Sequence, residues 1–159
     1  MHANIYYDMA GRPMMIYNID SNTRKTFADA ADKRMRTSDS RKHILEYEYD
    51  ILQRPVKTVL FLDDIAIPLG MAILSTEYGT AAQTDQNLNG QAAIQYDQSG
   101  ISTVEAADFK GNPLRTIKQF TQEYKDYIDW HTNTVELLDK TYSNSQTYDA
   151  LNRPADTSL

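Results

Sequence analysis

The 159-residue sequence predicts an all-β fold in which repeated antiparallel β-hairpins form a curved strip of sheet. Three observations carry that expectation. A turn phrase recurs along the chain, as "YDMAGRP" from Tyr7, "YDILQRP" from Tyr49 and "YDALNRP" from Tyr148. The segments between turns alternate apolar and polar residues with the period of two that a pleated strand imposes. Eleven tyrosines against four phenylalanines and one tryptophan favour half-exposed sheet surfaces, where the ring packs and the hydroxyl stays wet.

Each residue of the phrase has a mechanical reason to be there. Asp8, Asp50 and Asp149 stand where a carboxylate accepts backbone amides two residues on, and Gly11, three residues after Asp8, can take the positive φ that closes a hairpin. Gln53 and Asn152 hold that position in the other copies. Asp97 with Gly100, after Tyr96, and Asp108 with Gly111 repeat the spacing in "YDQSGI" and "ADFKGNP". Arg12, Arg54 and Arg153 are expected to pair or stack with neighbouring acids and tyrosines, Tyr7, Tyr49 and Tyr148 among them. Pro13, Pro55 and Pro154 lack an N–H and suit the first residue of a strand.

The spacing is regular. Asp8, Asp29 and Asp50 lie 21 residues apart (29 − 8 and 50 − 29), with "ADAADKR" as a degenerate middle copy. "IDSNTR" at Ile19–Arg24 and "SDSRK" at Ser38–Lys42 mark turns between them, so each repeat reads as strand, turn, strand, turn. In "ILEYEY", Leu45, Tyr47 and Tyr49 share one face while Glu46 and Glu48 take the other. "PVKTVLF" alternates too. Residues 65–91 read as an irregular insertion, a strand followed by a long loop, and Asp63 and Asp64 before it as a solvated strand end. In "RTIKQFTQEYKDYIDW", Phe120, Tyr124, Tyr127 and Ile128 follow helical spacing, with Thr121 as N-cap, which predicts one short helix near 121–128. The tail re-enters the repeat at Tyr148. No capping unit is visible at either end, so residues 1–159 read as a single repeat region sliced from a larger array.

Composition narrows the function classes. A net charge of −6 argues against a nonspecific nucleic-acid binder. Without cysteine there is no disulfide, thiolate metal site or cysteine nucleophile. The longest apolar stretch, Ile65–Leu74, falls short of a membrane span of about 20 residues, and no signal peptide is visible. His2, His43 and His131 lack a metal-ligand spacing, and no serine or glycine-rich motif supplies a nucleophile or a phosphate cradle. The repeated aspartates could serve as calcium ligands or hydrolytic acids, but their fixed place in a turn favours capping. No catalytic, cofactor-binding or metal-binding residue is therefore assigned. Tyrosines on a sheet would also suit a carbohydrate- or protein-binding module.

Tyr-Asp, two variable residues, Gly and Arg at roughly twenty-residue spacing resembles the YD repeats of the Rhs family, found in bacterial polymorphic toxins and insecticidal toxin complexes. The stretch from Gly90 through Trp130, followed by "TYDALNRP", is similar to the repeat-shell region of the B component of insecticidal Tc toxins and of SpvB-like proteins. The resemblance runs from about Tyr7 to Pro154. It implies hairpins joined into a long strip that winds into a hollow shell around a toxic polypeptide, with toxicity and autocleavage residing elsewhere. It also implies secretion within a toxin assembly, and as partners the remaining repeats or a companion subunit together with the cargo.

Overall fold

The computed structural model describes residues 3–62, 70–132 and 134–158. Among them are twelve β-strands and one short 3₁₀ helix, so the all-β hairpin fold that the turn phrases predict is what forms. The chain divides into two compact units, Met1–Ala72 and Ile73–Leu159. His2, Asp63 and Asp64 lie outside the described residues.

In the first unit β1 (Ala3–Tyr7), β2 (Pro13–Asn18), β3 (Asn22–Ala28), β4 (Arg34–Asp39), β5 (Ile44–Tyr49) and β6 (Pro55–Phe61) follow one another as an open antiparallel meander. The register runs Ile5 opposite Ile16, Ile16 opposite Arg24, Thr26 opposite Thr37, Thr37 opposite Leu45 and Leu45 opposite Leu60. One face is thus apolar at both ends and polar in the middle. Each strand packs on its neighbours in sequence, and burial is uneven. Val59 and Leu60 of β6 are 4% and 6% exposed, whereas Ile5 of β1 is 44% exposed.

The second unit holds most of β7 (Met71–Tyr78), then β8 (Ala92–Asp97), β9 (Gly100–Ala107), β10 (Pro113–Thr121), β11 (Leu137–Tyr148) and β12 (Pro154–Ser158), again in chain order. The irregular chain after β7 contains the 3₁₀ helix Ala81–Gln86. The Gln83 side chain accepts the Thr80 amide at 3.0 Å, and the helix ends at Asn87 in the left-handed region. The Asn87 side-chain amide donates to the Ala107 carbonyl at 3.0 Å, which brings this loop across to the end of β9. Leu88 is buried there.

The helix expected near 121–128 does not form. Thr121 is the last residue of β10, paired with Leu137 across a bulge. The Glu123 carboxylate then accepts the amides of Tyr124, Lys125 and Asp126 in a local cap. Of the residues whose spacing suggested an apolar helix face, Tyr124 and Tyr127 are exposed and Ile128 is buried. The Gln98 side chain holds Ile128 at both backbone groups, donating to its carbonyl and accepting its amide at 2.8 Å each. This long-range clamp replaces the helix as the way the segment satisfies its backbone.

Two glycines differ in what holds them. Gly11 has φ +77° with nothing near its missing side chain, so Gly11→Ala should cost about 1 kcal/mol for the left-handed backbone alone. At Gly100, with φ +141°, a Cβ would stand 2.0 Å from the Gln119 carbonyl oxygen of β10. Gly100→Ala should therefore cost about 3 kcal/mol or more. Urea denaturation of the two variants checks the contrast, and equal losses would contradict it.

Candidate functional site

Six aspartates among the described residues build the same hairpin loop. Asp8 shows the pattern: its amide donates to the Arg12 carbonyl at 2.9 Å, and its carbonyl accepts the Gly11 amide at 3.0 Å. One oxygen of its carboxylate accepts the amides of Ala10 and Arg12 at 2.9 Å each, and the other accepts the Arg12 Nε at 2.7 Å. The backbone bonds recur at Asp29, Asp39, Asp50, Asp108 and Asp149. So do the two carboxylate–amide bonds, to residues two and four further on. The loop is a β-turn followed by one left-handed residue, a common three-residue hairpin. The left-handed positions are Gly11, Asp32, Lys42, Gln53, Gly111 and Asn152, with φ between 61° and 87°.

The residue four after the aspartate closes the loop from outside. Arg54 and Arg153 reach Asp50 and Asp149 through Nε at 2.7 Å, as Arg12 reaches Asp8. His43 takes this place beside Asp39 at 3.2 Å, and Asn112 beside Asp108 at 2.8 Å. The proline that follows arginine also finds its reason. Tyr7 faces Pro13, Tyr49 faces Pro55 and Tyr148 faces Pro154, each next to a register shift. A residue without an N–H suits the strand start beside the bulge. The tyrosines themselves differ: Tyr7 is 57% exposed, whereas the Tyr49 hydroxyl donates to the Arg34 carbonyl at 2.8 Å and Lys33 lies 5.1 Å from its ring centre.

Because strands alternate in direction, the Asp8, Asp29 and Asp50 loops share one edge of the first unit, and they touch. The Arg12 guanidinium donates to the Asp29 carbonyl at 2.7 Å, and the Lys33 ammonium donates to the Gln53 carbonyl. In the second unit the Asp108 and Asp149 loops share an edge, and Lys110 donates to the Ala150 carbonyl at 2.9 Å. A basic side chain from one loop thus caps a carbonyl of the next, two strands along. In the first unit the 21-residue period is the spacing of the loops that touch, whereas the Asp108 and Asp149 loops lie 41 residues apart (149 − 108).

Asp97 departs from the pattern despite its spacing to Gly100. It pairs directly with Gly100 across a two-residue loop, so the positive-φ glycine is itself the first strand residue and Ile101, not a cation, stands four on. Its carboxylate accepts the Ser99 and Gly100 amides and is gripped by Lys118 of β10 at 2.8 Å. Beside this loop the Trp130 indole N–H donates to the Asp97 carbonyl at 3.1 Å, and its ring lies 5.1 Å from that of Tyr96. The Tyr96 hydroxyl donates to Glu77 at 2.7 Å. Nothing local in the sequence marks Gln98 or Trp130 as partners of this hairpin, because their contacts span 30 and 33 residues.

These carboxylates are held as acceptors. The amide of the residue four on is the largest cause holding Asp8, Asp50 and Asp149 below the usual carboxylate range, and at Asp108 it is the Asn112 side chain. Burial alone would raise Asp97, but Lys118 and Ser99 together outweigh it and hold it low. Burial, then Glu77, push the Tyr96 phenol up to about 12, so it remains a neutral donor. Among the described residues no group of three or more His, Asp or Glu is placed to hold a metal ion.

A carboxyl depressed in the folded state adds stability above its unfolded pKa of about 4, and that stability is lost as pH falls through the lower folded value. Thermal unfolding should therefore show a Tm that is flat from neutral pH down to about 5 and declines below about 4. Asp50→Ala should lower Tm at pH 7 and flatten part of the acid decline, while Asp20→Ala, outside the six loops, changes neither. An acid profile unaltered by Asp50→Ala would contradict this reading.

No protein-family model and no curated protein matches the chain. Solved structures do. A Photorhabdus luminescens Tc holotoxin pore, carrying a TccC3 variant, aligns with a TM-score of 0.87 at 20% identity over 98% of this chain and 8% of that one. Crystal structures of TcdB2-TccC3, and of TcdB2-TccC3 without the hypervariable C-terminal region, align at 0.87 and 0.86 with the same identity and coverage. The chain thus spans about 8% of the length of these toxin chains. At the level of fold, the resemblance read from the repeated turns holds: this chain has the architecture of one segment of a Tc toxin chain.

Proposed function

We propose that the chain is a noncatalytic structural segment of a toxin-encapsulating β-shell of the Rhs and Tc-toxin type, helping to enclose and deliver a toxic polypeptide. Its partners are then the remaining YD repeats of the shell or a companion subunit, and its place is a secreted toxin assembly. The observation that carries this reading is the edge ladder of loops, in which Arg12, Lys33 and Lys110 each cap a carbonyl of a later loop. Such a contact rule has no internal end, which suits a wall made by adding hairpins. The balance of burial agrees: among the described residues eight apolar side chains are buried and twenty large ones are exposed. A sheet of that kind suits a wall with neighbours better than an isolated domain.

A second reading, a binding module for carbohydrate or protein, draws on the paired rings of Tyr96 and Trp130. Light scattering on the eluting isolated chain separates the two. The shell reading expects association through strand edges, with a mass well above 18.2 kDa. A monodisperse, cooperatively melting monomer would contradict the shell reading and favour the binding module.

A further inference from the structure

The second unit carries a cleft that the hairpin architecture does not use. Between β10 and β11, Ile128 and Trp130 are fastened to the β8–β9 hairpin by the Gln98–Ile128 clamp and the Trp130–Asp97 bond. Beside it is an open space of about 290 Å³, lined by the rings of Tyr96 and Trp130, by Ile101, Val135 and Leu137, and by Ser75 and Thr132. Glu77 is the one charged side chain in its lining. No arginine or lysine faces it there, although Arg12, Arg54, Arg153 and Lys118 all neutralise nearby aspartates elsewhere.

Two aromatic rings, three aliphatic side chains, two hydroxyls and one carboxylate without a cationic partner in the lining make an environment for a cation on an apolar stem. The ring faces attract positive charge, the carboxylate fixes where it sits, and the aliphatic side chains cover the stem. A neutral sugar would use the rings but leave the carboxylate's charge unanswered, and an anion would be repelled. The Tyr96 hydroxyl occupies one Glu77 oxygen and orients the group, leaving the other to a ligand.

We propose that the cleft bounded by Glu77, Tyr96 and Trp130 is a binding site for a primary alkylammonium group, carried either by a lysine side chain of a polypeptide or by a free amine. The site is independent of the shell reading. It would serve a lone module as well as a wall that must hold a chain against its surface.

Trp130 is the sole tryptophan, so its fluorescence reports the site directly. The unmodified chain is titrated with n-butylammonium, with n-butanol as the neutral isostere, and with the capped tripeptides Gly-Lys-Gly and Gly-Gln-Gly, at constant ionic strength. Saturable change with n-butylammonium or the lysine peptide, at least about fivefold weaker with the neutral counterpart, is expected. Tighter binding of the peptide assigns a polypeptide lysine, and equal or tighter binding of n-butylammonium a free amine. Glu77→Gln, which retains an acceptor for Tyr96, should weaken the cation about fivefold and leave the alcohol unchanged. Should that variant fail to fold, the comparison of cation with isostere on the unmodified chain decides alone. Equal response to n-butylammonium and n-butanol, or no saturable response to any amine, overturns the proposal.

Discussion

A carboxylate that accepts two backbone amides within its own loop is the interaction on which the rest of this structure depends. A hairpin register is easily slipped by a residue, and a slip exchanges the two faces of a strand. Here the aspartate fixes the loop at three residues, because one oxygen must reach amides two and four positions on. The left-handed residue and the bulge beside it follow from that closure. Exposed ion pairs contribute little energy. The arginine that grips the second carboxylate oxygen therefore matters more for orientation, since its outer nitrogen is then aimed at the next loop.

That aim converts a local motif into an architecture. Strand order alone would allow hairpins to hinge against one another, but a cation from one loop on the carbonyl of the next ties alternate strand pairs along one edge of each unit. The opposite edge of the first unit carries the turn at Asn18–Asn22 and one further copy of the aspartate loop, at Asp39. In the second unit the non-repeat edge carries the Asp97 loop and its long cover, and it is there that charged and aromatic side chains gather without a repeat to explain them. Regular chemistry on one edge builds, and irregular chemistry on the other leaves room for recognition.

The sequence displayed the building edge because its rule is local. Aspartate and a turn residue three positions later are visible wherever the turn residue is glycine or asparagine, as at Gly11, Gly111 and Asn152. The Asp39 loop read only as a generic turn because Lys42 occupies the left-handed position and His43 replaces arginine, though the backbone bonds are the same. At Asp97 the amide two residues on and the positive φ of Gly100 are both as expected, but the loop is two residues long and the glycine also admits the close approach of β10. The helix expected near 121–128 failed for a related reason. Helical spacing of Phe120, Tyr124, Tyr127 and Ile128 is a local signal, whereas the Gln98 clamp that holds Ile128 comes from 30 residues away. The same distance hid the cleft.

The central claim, that loops on one edge are coupled while loops on opposite edges are not, is tested most directly by amide hydrogen exchange in Lys33→Met. The substitution leaves the Lys33 amide on Asp29 and removes the ammonium, which caps the Gln53 carbonyl and lies near the Tyr49 ring. Faster exchange at Leu52, Gln53 and Arg54, with Arg41 and His43 unchanged on the opposite edge, is the expected result. Unaltered exchange in the Asp50 loop, or equal acceleration on both edges, would contradict the account.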